Sequence, residues 1–160
     1  MSGLVIAGDL RLDRDALVAR GEQVAAGLAA MGIREGDVIA VLLRNGMPYL
    51  EIIQACKRLG CYYCPINWHY TADEVAFLAN DSGAKLLIAE DDLWRQVWAA
   101  LPPGLPVLRV MAEADAAFEA NDYEAWRDVQ PRYDGPLVAP RGHMAYTSVS
   151  YTHLTLPTKA

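Results

Sequence analysis

The chain has 160 residues, 53% of them hydrophobic and 21% charged, a composition that supports one globular domain with a sizeable core and excludes a disordered polymer. Twenty acidic against fourteen basic residues give a net charge of −6, and no Lys/Arg cluster could track a phosphate backbone, so nucleic acid is not an expected partner. No apolar run approaches the length of a transmembrane segment and the amino terminus carries no signal-type pattern, which makes the cytoplasm the expected location.

Strand and helix signals alternate along the chain. Residues 4–7 and 10–12 flank Gly8-Asp9, a turn dipeptide that predicts a hairpin. Asp13 is placed to cap a helix running to about Met31, because Leu17, Val24, Leu28 and Met31 recur on one face and Gly32 stops it. After the turn Arg34-Glu35-Gly36-Asp37, residues 38–43 form an unbroken apolar run without alternation, the pattern of a strand buried on both faces of a parallel sheet.

A second unit repeats the design. Tyr49, Ile52, Ile53, Cys56 and Leu59 make an apolar stripe at helical spacing, Gly60 closes it, and residues 61–65 supply the next strand. Thr71 and Glu74 have the spacing of a capping box, so the chain turns through Asn67-Trp68-His69-Tyr70 into a helix over residues 72–81. Ser82-Gly83 ends that helix and residues 85–89 read as a further buried strand. A further helix carries Leu93, Trp94, Val97, Trp98 and Leu101 on a buried face and stops at Pro102-Pro103, and residues 107–110 form another strand.

Beyond Met111 the pattern weakens. Residues 113–118 and 122–128 read as short helices, their acidic residues as a solvated surface. Pro131, Gly135, Pro136, Pro140 and Gly142 then punctuate a loop that leads to a final strand over residues 143–147. The alternation predicts an α/β domain, a mainly parallel sheet with helices on both faces. Ligands of such sheets bind outside the carboxyl ends of the strands, where Thr147 and Ser148 fall.

Cys56, Cys61 and Cys64 lie close together with His69 downstream, a superficial zinc pattern. Metal knuckles set their thiolates on a tight turn, whereas Cys61-Tyr-Tyr-Cys64 reads as strand and would send its thiols to opposite faces. Buried, reduced cysteines are therefore expected, and no metal site. Trp68 and His69 could approach a ligand channel, but the preferred role is to fix their loop by packing and one hydrogen bond.

Residues 10–148 resemble the amino-terminal portion of an acyl-CoA synthetase of the adenylate-forming superfamily. The resemblance is carried by Gly32-Ile33-Arg34-Glu35-Gly36-Asp37-Val38-Ile39-Ala40, Arg44-Asn45-Gly46, Gly60-Cys61-Tyr62-Tyr63-Cys64-Pro65-Ile66-Asn67, Ala72-Asp73-Glu74-Val75, Asp81-Ser82-Gly83-Ala84-Lys85 and Ala145-Tyr146-Thr147-Ser148, in that order. It implies that a carboxylate substrate attacks the α-phosphate of ATP, with Mg2+, to give an acyl adenylate from which coenzyme A displaces AMP. The segment from Pro65 to His69 favours fatty or related organic acids. The family's phosphate loop reads Y-T-S-G-T-T-G, so the resemblance assigns Thr147 and Ser148 to ATP phosphate contact; ending a strand in a turn is their alternative role.

Val149 stands where that loop has glycine, and residues 149–160 contain none, although such a loop needs backbone conformations that glycine adopts cheaply. Residues 149–158 instead translate GTCTCTTATACACATCTGACGCTGCCGACG, a transposase adaptor of sequencing libraries. The expected organisation is a truncated α/β subdomain over residues 1–148 and an adaptor-derived tail over 149–160, so Lys159 carries no role. The chain alone is expected to be inactive, its downstream nucleotide motifs being absent. The alternative is a self-contained, non-catalytic α/β binding or interaction module.

Overall fold

The computed structural model describes residues 3–113, 121–139 and 141–146. Strand β1 (Leu4–Ala7) pairs antiparallel with β2 (Leu10–Asp13), Ala7 opposite Leu10, and Gly8 takes the left-handed conformation (φ 59°) that this tight hairpin turn uses. Helix α1 (Arg14–Ala30) follows at once, because the Asp13 carboxylate accepts the Ala16 N–H at 2.8 Å and caps its first turn.

The main sheet is parallel throughout. Its order is β4 (Tyr62–Pro65), β3 (Val38–Leu42), β5 (Leu86–Glu90), β6 (Val107–Val110), with Ala40 in register with Cys64 on one side and Leu87 on the other. Every residue of β3 is buried. Its side chains divide between two layers: Ile39 and Val41 join Leu86, Ile88, Leu108 and Val110 beneath α1 and α2 (Met47–Leu59), while Ala40 and Leu42 join Leu87 and Ala89 beneath α3 (Ala72–Asp81) and α4 (Asp91–Val97). A strand covered on both faces has no polar side to show, which is why its sequence does not alternate. Helix α5 (Tyr123–Asp128), capped by Asp122, adds Tyr123 to the first layer.

The helix punctuation follows the sequence closely. Thr71 N–H donates to Glu74 Oε2 at 2.8 Å and Glu74 N–H donates to Thr71 Oγ1 at 3.4 Å, completing the capping box. Gly60 ends α2 in the left-handed conformation (φ 67°). Gly21 lets α1 and α2 approach closely, since a Cβ there would lie 2.6 Å from Gln54 Cβ.

Several details differ from the expectations. Cys61 belongs to the turn after α2 rather than to β4, and β5 starts at Leu86 because Lys85 is drawn to the strand mouth, its ammonium 2.7 Å from Asp37. Met31 is 42% exposed, since α1 ends before it and Gly32 turns the chain away. Helix α4 tightens into a 3-10 turn at Trp98–Ala100, which rotates Trp98 off the buried face and leaves it 48% exposed. Ile53 is only half-buried, its expected place on the inner stripe of α2 being held by Glu51 and Ala55. Glu124 is half-buried rather than solvated, and burial raises its carboxyl pKa although it accepts the Met111 N–H at 3.1 Å. The helix expected over residues 113–118 falls largely outside the described residues.

The expected last strand is reduced to one parallel bridge, Tyr63 with His143, extended by Met144 N–H to the Tyr63 carbonyl at 2.8 Å. The cause is visible in β4. Tyr62 and Ile66 spend their N–H groups on β3, so Tyr63 and Pro65 face the outer edge, and proline has no N–H to continue a ladder there. Thr147 lies outside the described residues.

Candidate functional site

All four parallel strands deliver their carboxyl ends to one edge, and a polar lattice joins them there. Arg44, just past β3, donates its backbone N–H to Glu90 Oε1 at 2.8 Å; its guanidinium bonds Glu90 and also grips both carboxylate oxygens of Asp92, at 3.1 and 2.8 Å. The end of β3 is thereby tied to the end of β5 and the first turn of α4. Asp92 and Glu90 raise the Arg44 pKa, and Arg44 in turn holds Asp92 below the usual carboxylate range.

The β4–α3 loop reaches the same lattice. The Arg44 guanidinium lies 5.2 Å from the Trp68 ring centroid, Trp68 stacks on His69 at 3.5 Å, and Asn67 Oδ1 accepts the His69 N–H at 3.0 Å. Packing fixes this loop together with two hydrogen bonds rather than the one expected, the second from Tyr70 N–H to the Asn67 carbonyl at 3.0 Å, although Trp68 stays 42% exposed.

Between Arg44, Asp92, Arg95, Met111 and Glu113 opens a cleft of 340 Å³. Its floor is Asp91, buried and held by Arg95 Nε at 2.8 Å and by Arg109 at 2.6 Å; Arg109 is itself buried and lies 4.7 Å from the Trp94 ring. Burial opposes the Asp91 charge, but the hydrogen bond from Arg95, the Glu113 N–H and the charge of Arg109 prevail and hold its carboxyl below the ordinary range.

Thr147 and Ser148, the residues expected to touch phosphate, lie outside the described residues. The segment leading to them is anchored. Residues 143–146 run parallel to β4 and so head for the carboxyl edge, and the half-buried Tyr146 donates its hydroxyl to Asp81 Oδ2 at 2.7 Å, at the end of α3. Burial and that carboxylate push the Tyr146 pKa up to about 12. Among the described residues no group of three or more His, Cys, Asp and Glu could hold a metal ion, and the three cysteines are buried and free.

A second polar centre was not anticipated. Glu51, fully buried on the inner face of α2, meets Arg20 at 2.6 Å, Arg127 at 3.0 Å and the Tyr123 hydroxyl at 2.8 Å. Its sequence signal is position: Met47, Glu51, Ile52, Ala55, Cys56 and Leu59 share the inward stripe, so the helical period alone puts this carboxylate inside. Burial and the Glu51 charge drive the Tyr123 pKa well above its ordinary value.

Residues 5–150 match the family described as AMP-binding enzyme. A fatty acid–acyl-carrier-protein ligase of Streptomyces coeruleorubidus is 36% identical over 101 residues, covering 62% of this chain and 19% of that protein. A feruloyl-CoA synthase of Amycolatopsis is 41% identical over 96 residues, covering 59% of this chain and 19% of its own length. The chain thus spans about a fifth of these relatives. Among solved structures, an anthranilate CoA ligase in complex with anthranoyl-AMP superimposes with a TM-score of 0.77 at 17% identity, over 90% of this chain and 28% of that one. A Mycobacterium tuberculosis fatty acyl CoA synthetase gives 0.74 at 24% identity, over 88% and 28%. At these identities the structures establish the shared α/β fold.

Proposed function

The chain belongs to the AMP-binding enzyme family, and from that premise we propose that it is the amino-terminal α/β part of an ATP-dependent acyl-CoA ligase. In the whole enzyme a carboxylate, of a fatty or related organic acid, attacks the α-phosphate of ATP and expels pyrophosphate; the thiol of coenzyme A then displaces AMP from the acyl adenylate. The support from geometry is the direction of residues 143–146, which run along β4 toward the edge where the other strands end. That edge is where α/β sheets bind ligands.

Thr147 and Ser148 are assigned to hydrogen-bond the ATP phosphates, donating hydroxyl protons to oxygens on which charge grows as pyrophosphate leaves. Tyr146, tied to Asp81, sets the start of that segment. Magnesium would offset charge on the departing pyrophosphate. The described residues contain no cluster suited to a metal, so none of them is assigned to it. A cytoplasmic location is part of the same proposal. No helix among the described residues is long and apolar enough to cross a membrane. Residues 1–148 are assigned to the ligase and residues 149–160 to adaptor DNA.

The test is a chimera. Residues 1–148, joined in frame to the downstream portion of a family member that already activates a known fatty acid, should catalyse exchange of labelled pyrophosphate into ATP only when that acid is present. A chimera that folds cooperatively yet shows no acid-dependent exchange would remove the proposal.

A further inference from the structure

The last turn of α2 stands beside α1 and the segment over residues 131–139, and the three enclose a groove of 380 Å³, within the range of about 300–1,000 Å³ usual for small-molecule sites. Helix α2 runs from the carboxyl end of β3 to the amino end of β4, so this groove lies at the opposite edge of the sheet from Arg44. Gly21 and Gln54 form the seam of the two helices within it. The third wall is pinned to α1: the Tyr133 N–H donates to the Glu22 carbonyl at 3.2 Å and the Gln23 amide to the Gln130 carbonyl at 3.3 Å.

Apolar and cationic surfaces meet here. Val18, Leu137 and Val138 line the groove with hydrocarbon, and Leu137 is 74% exposed. Lys57 and Arg58 line it as well. The dipole of α2 favours cations in its last turn, which accounts for these residue types but not for how little acid balances them. Arg58 Nη2 meets Glu22 Oε1 at 3.0 Å, yet Arg132 Nε takes the other oxygen of the same carboxylate at 2.6 Å. Lys57 is exposed and meets no carboxylate among the described residues. Glu35, which approaches Gly60 beside Val138, is engaged by Arg141 at 3.1 Å. Lys57, Arg58 and Arg132 are thus balanced by Glu22 alone. Arg58 Nε is also buried with no hydrogen-bond partner among the described residues, an uncommon state for a native donor.

We propose that this groove binds an amphiphilic anion, a medium-chain alkyl carboxylate, with its head group on Lys57 and Arg58 and its tail along Val18, Leu137 and Val138. The carboxylate supplies the acid that the groove lacks and accepts charge-assisted hydrogen bonds from the ammonium and the guanidinium. The tail takes the exposed face of Leu137 out of water. A short carboxylate gains only the first of these terms and a cationic amphiphile only the second, so the site selects for both features in one molecule. Its size suits a single alkyl chain rather than a two-chain lipid. The site uses neither ATP nor Thr147 and stands apart from the adenylation reading.

The experiment titrates the folded 160-residue chain with sodium decanoate, below the concentration at which decanoate aggregates, by isothermal calorimetry. One decanoate per chain should bind saturably, while acetate and decyltrimethylammonium should give no saturable heat. Lys57→Gln should weaken binding about threefold to fivefold, the weight of one exposed charge contact, and Lys57→Arg should restore it. Leu137→Asn should weaken it by a similar factor. Both side chains are exposed, so the thermal midpoint should stay near the parent value. A decanoate carrying a terminal diazirine should crosslink near Val18, Leu137 and Val138, and should do so equally in the chimera that carries the downstream portion. Equal heats from decanoate and decyltrimethylammonium, or parent affinity in Lys57→Gln or Leu137→Asn, would overturn the proposal. Protection of those three residues in the chimera would overturn it too, because downstream polypeptide would then be the occupant of the groove. That labelling is read whether or not the chimera exchanges pyrophosphate.

Discussion

The Tyr123 hydroxyl donates to Glu51 Oε2 at 2.8 Å, joining α5 to α2 although the two residues stand 72 positions apart in the chain. Neither residue is exposed, and Arg127 reaches the same carboxylate oxygen at 3.0 Å. A six-residue helix has little stability of its own, so α5 holds its place through Glu51 and the apolar contacts of Tyr123 and Trp126.

Removing the carboxylate should therefore cost far more than removing the phenol. Glu51→Ala strips Arg127 of its buried partner and leaves it only the exposed carboxylate of Asp128, and urea denaturation should show a loss of about 3–5 kcal/mol. Tyr123→Phe deletes one hydrogen bond to a charged group and should cost about 1.5–3 kcal/mol. In a double-mutant cycle the two losses should fall short of additivity. If Glu51→Ala unfolds at the wild-type urea midpoint, the cluster does not hold the helix.

Asp91 gives the fold an acid-sensitive joint. Its pKa lies below the unfolded value of 3.8, so the native state binds fewer protons than the unfolded chain in that region. The contribution is fully present above 3.8 and is lost as pH falls through the lower folded value. Asp91→Asn should lower stability at neutral pH and flatten the fall in stability below pH 3.8. An unchanged slope in that acid range would contradict the ion pairs with Arg95 and Arg109.

These two joints mark the boundary of what the sequence discloses. Strand β3 was legible because burial on both faces writes itself as an unbroken apolar run. The α3 cap was legible because Thr71 and Glu74 are local partners. Glu51 with Tyr123 and Arg127 was not, since pairs so distant in the chain leave no periodic trace; only the place of Glu51 on the stripe of α2 hints at it. The outer edge of β4 is illegible for a different reason. Residues 143–147 have strand character, but whether they pair depends on which way Pro65 faces, a tertiary fact. At the candidate site, Arg44-Asn45-Gly46 is legible as a motif, but its clamp on Glu90 and Asp92 is not, because those partners lie more than forty residues along the chain. Thr147 and Ser148 came from family resemblance alone.

Tyr146 tests the anchoring of the segment before those residues. Its folded pKa of about 12 exceeds the usual 10, so the folded state keeps the phenol proton over that interval. The contribution to docking of residues 143–146 is present below pH 10 and is lost as pH rises through 12. In a spectrophotometric titration, the difference between wild type and Tyr146→Phe should report one phenolate forming near pH 12. Asp81→Asn should bring that transition down toward 10, because the neighbouring charge is gone. Titration near 10 in both proteins would mean that the hydroxyl does not meet Asp81.

The adenylation proposal makes its sharpest demand on Thr147. Adenylation needs the carboxylate, the α-phosphate and the leaving pyrophosphate held together, and misplacing one of them costs orders of magnitude in rate. The 160-residue chain should therefore catalyse no pyrophosphate exchange by itself and bind ATP at best in the millimolar range, roughly 4 kcal/mol. In a chimera that restores activity, Thr147→Val keeps shape and removes a hydroxyl assigned to a phosphate oxygen. If that contact strengthens as pyrophosphate departs, kcat for exchange should fall by about 10²–10³, the usual loss for one such donor. The KM for ATP should move little, and the urea midpoint should stay within about 0.5 kcal/mol of the parent. Thr147→Ser, which returns the hydroxyl, should recover most of the rate. Equal rates for the valine and threonine chimeras would take Thr147 out of the phosphate site while leaving the family membership of the chain untouched.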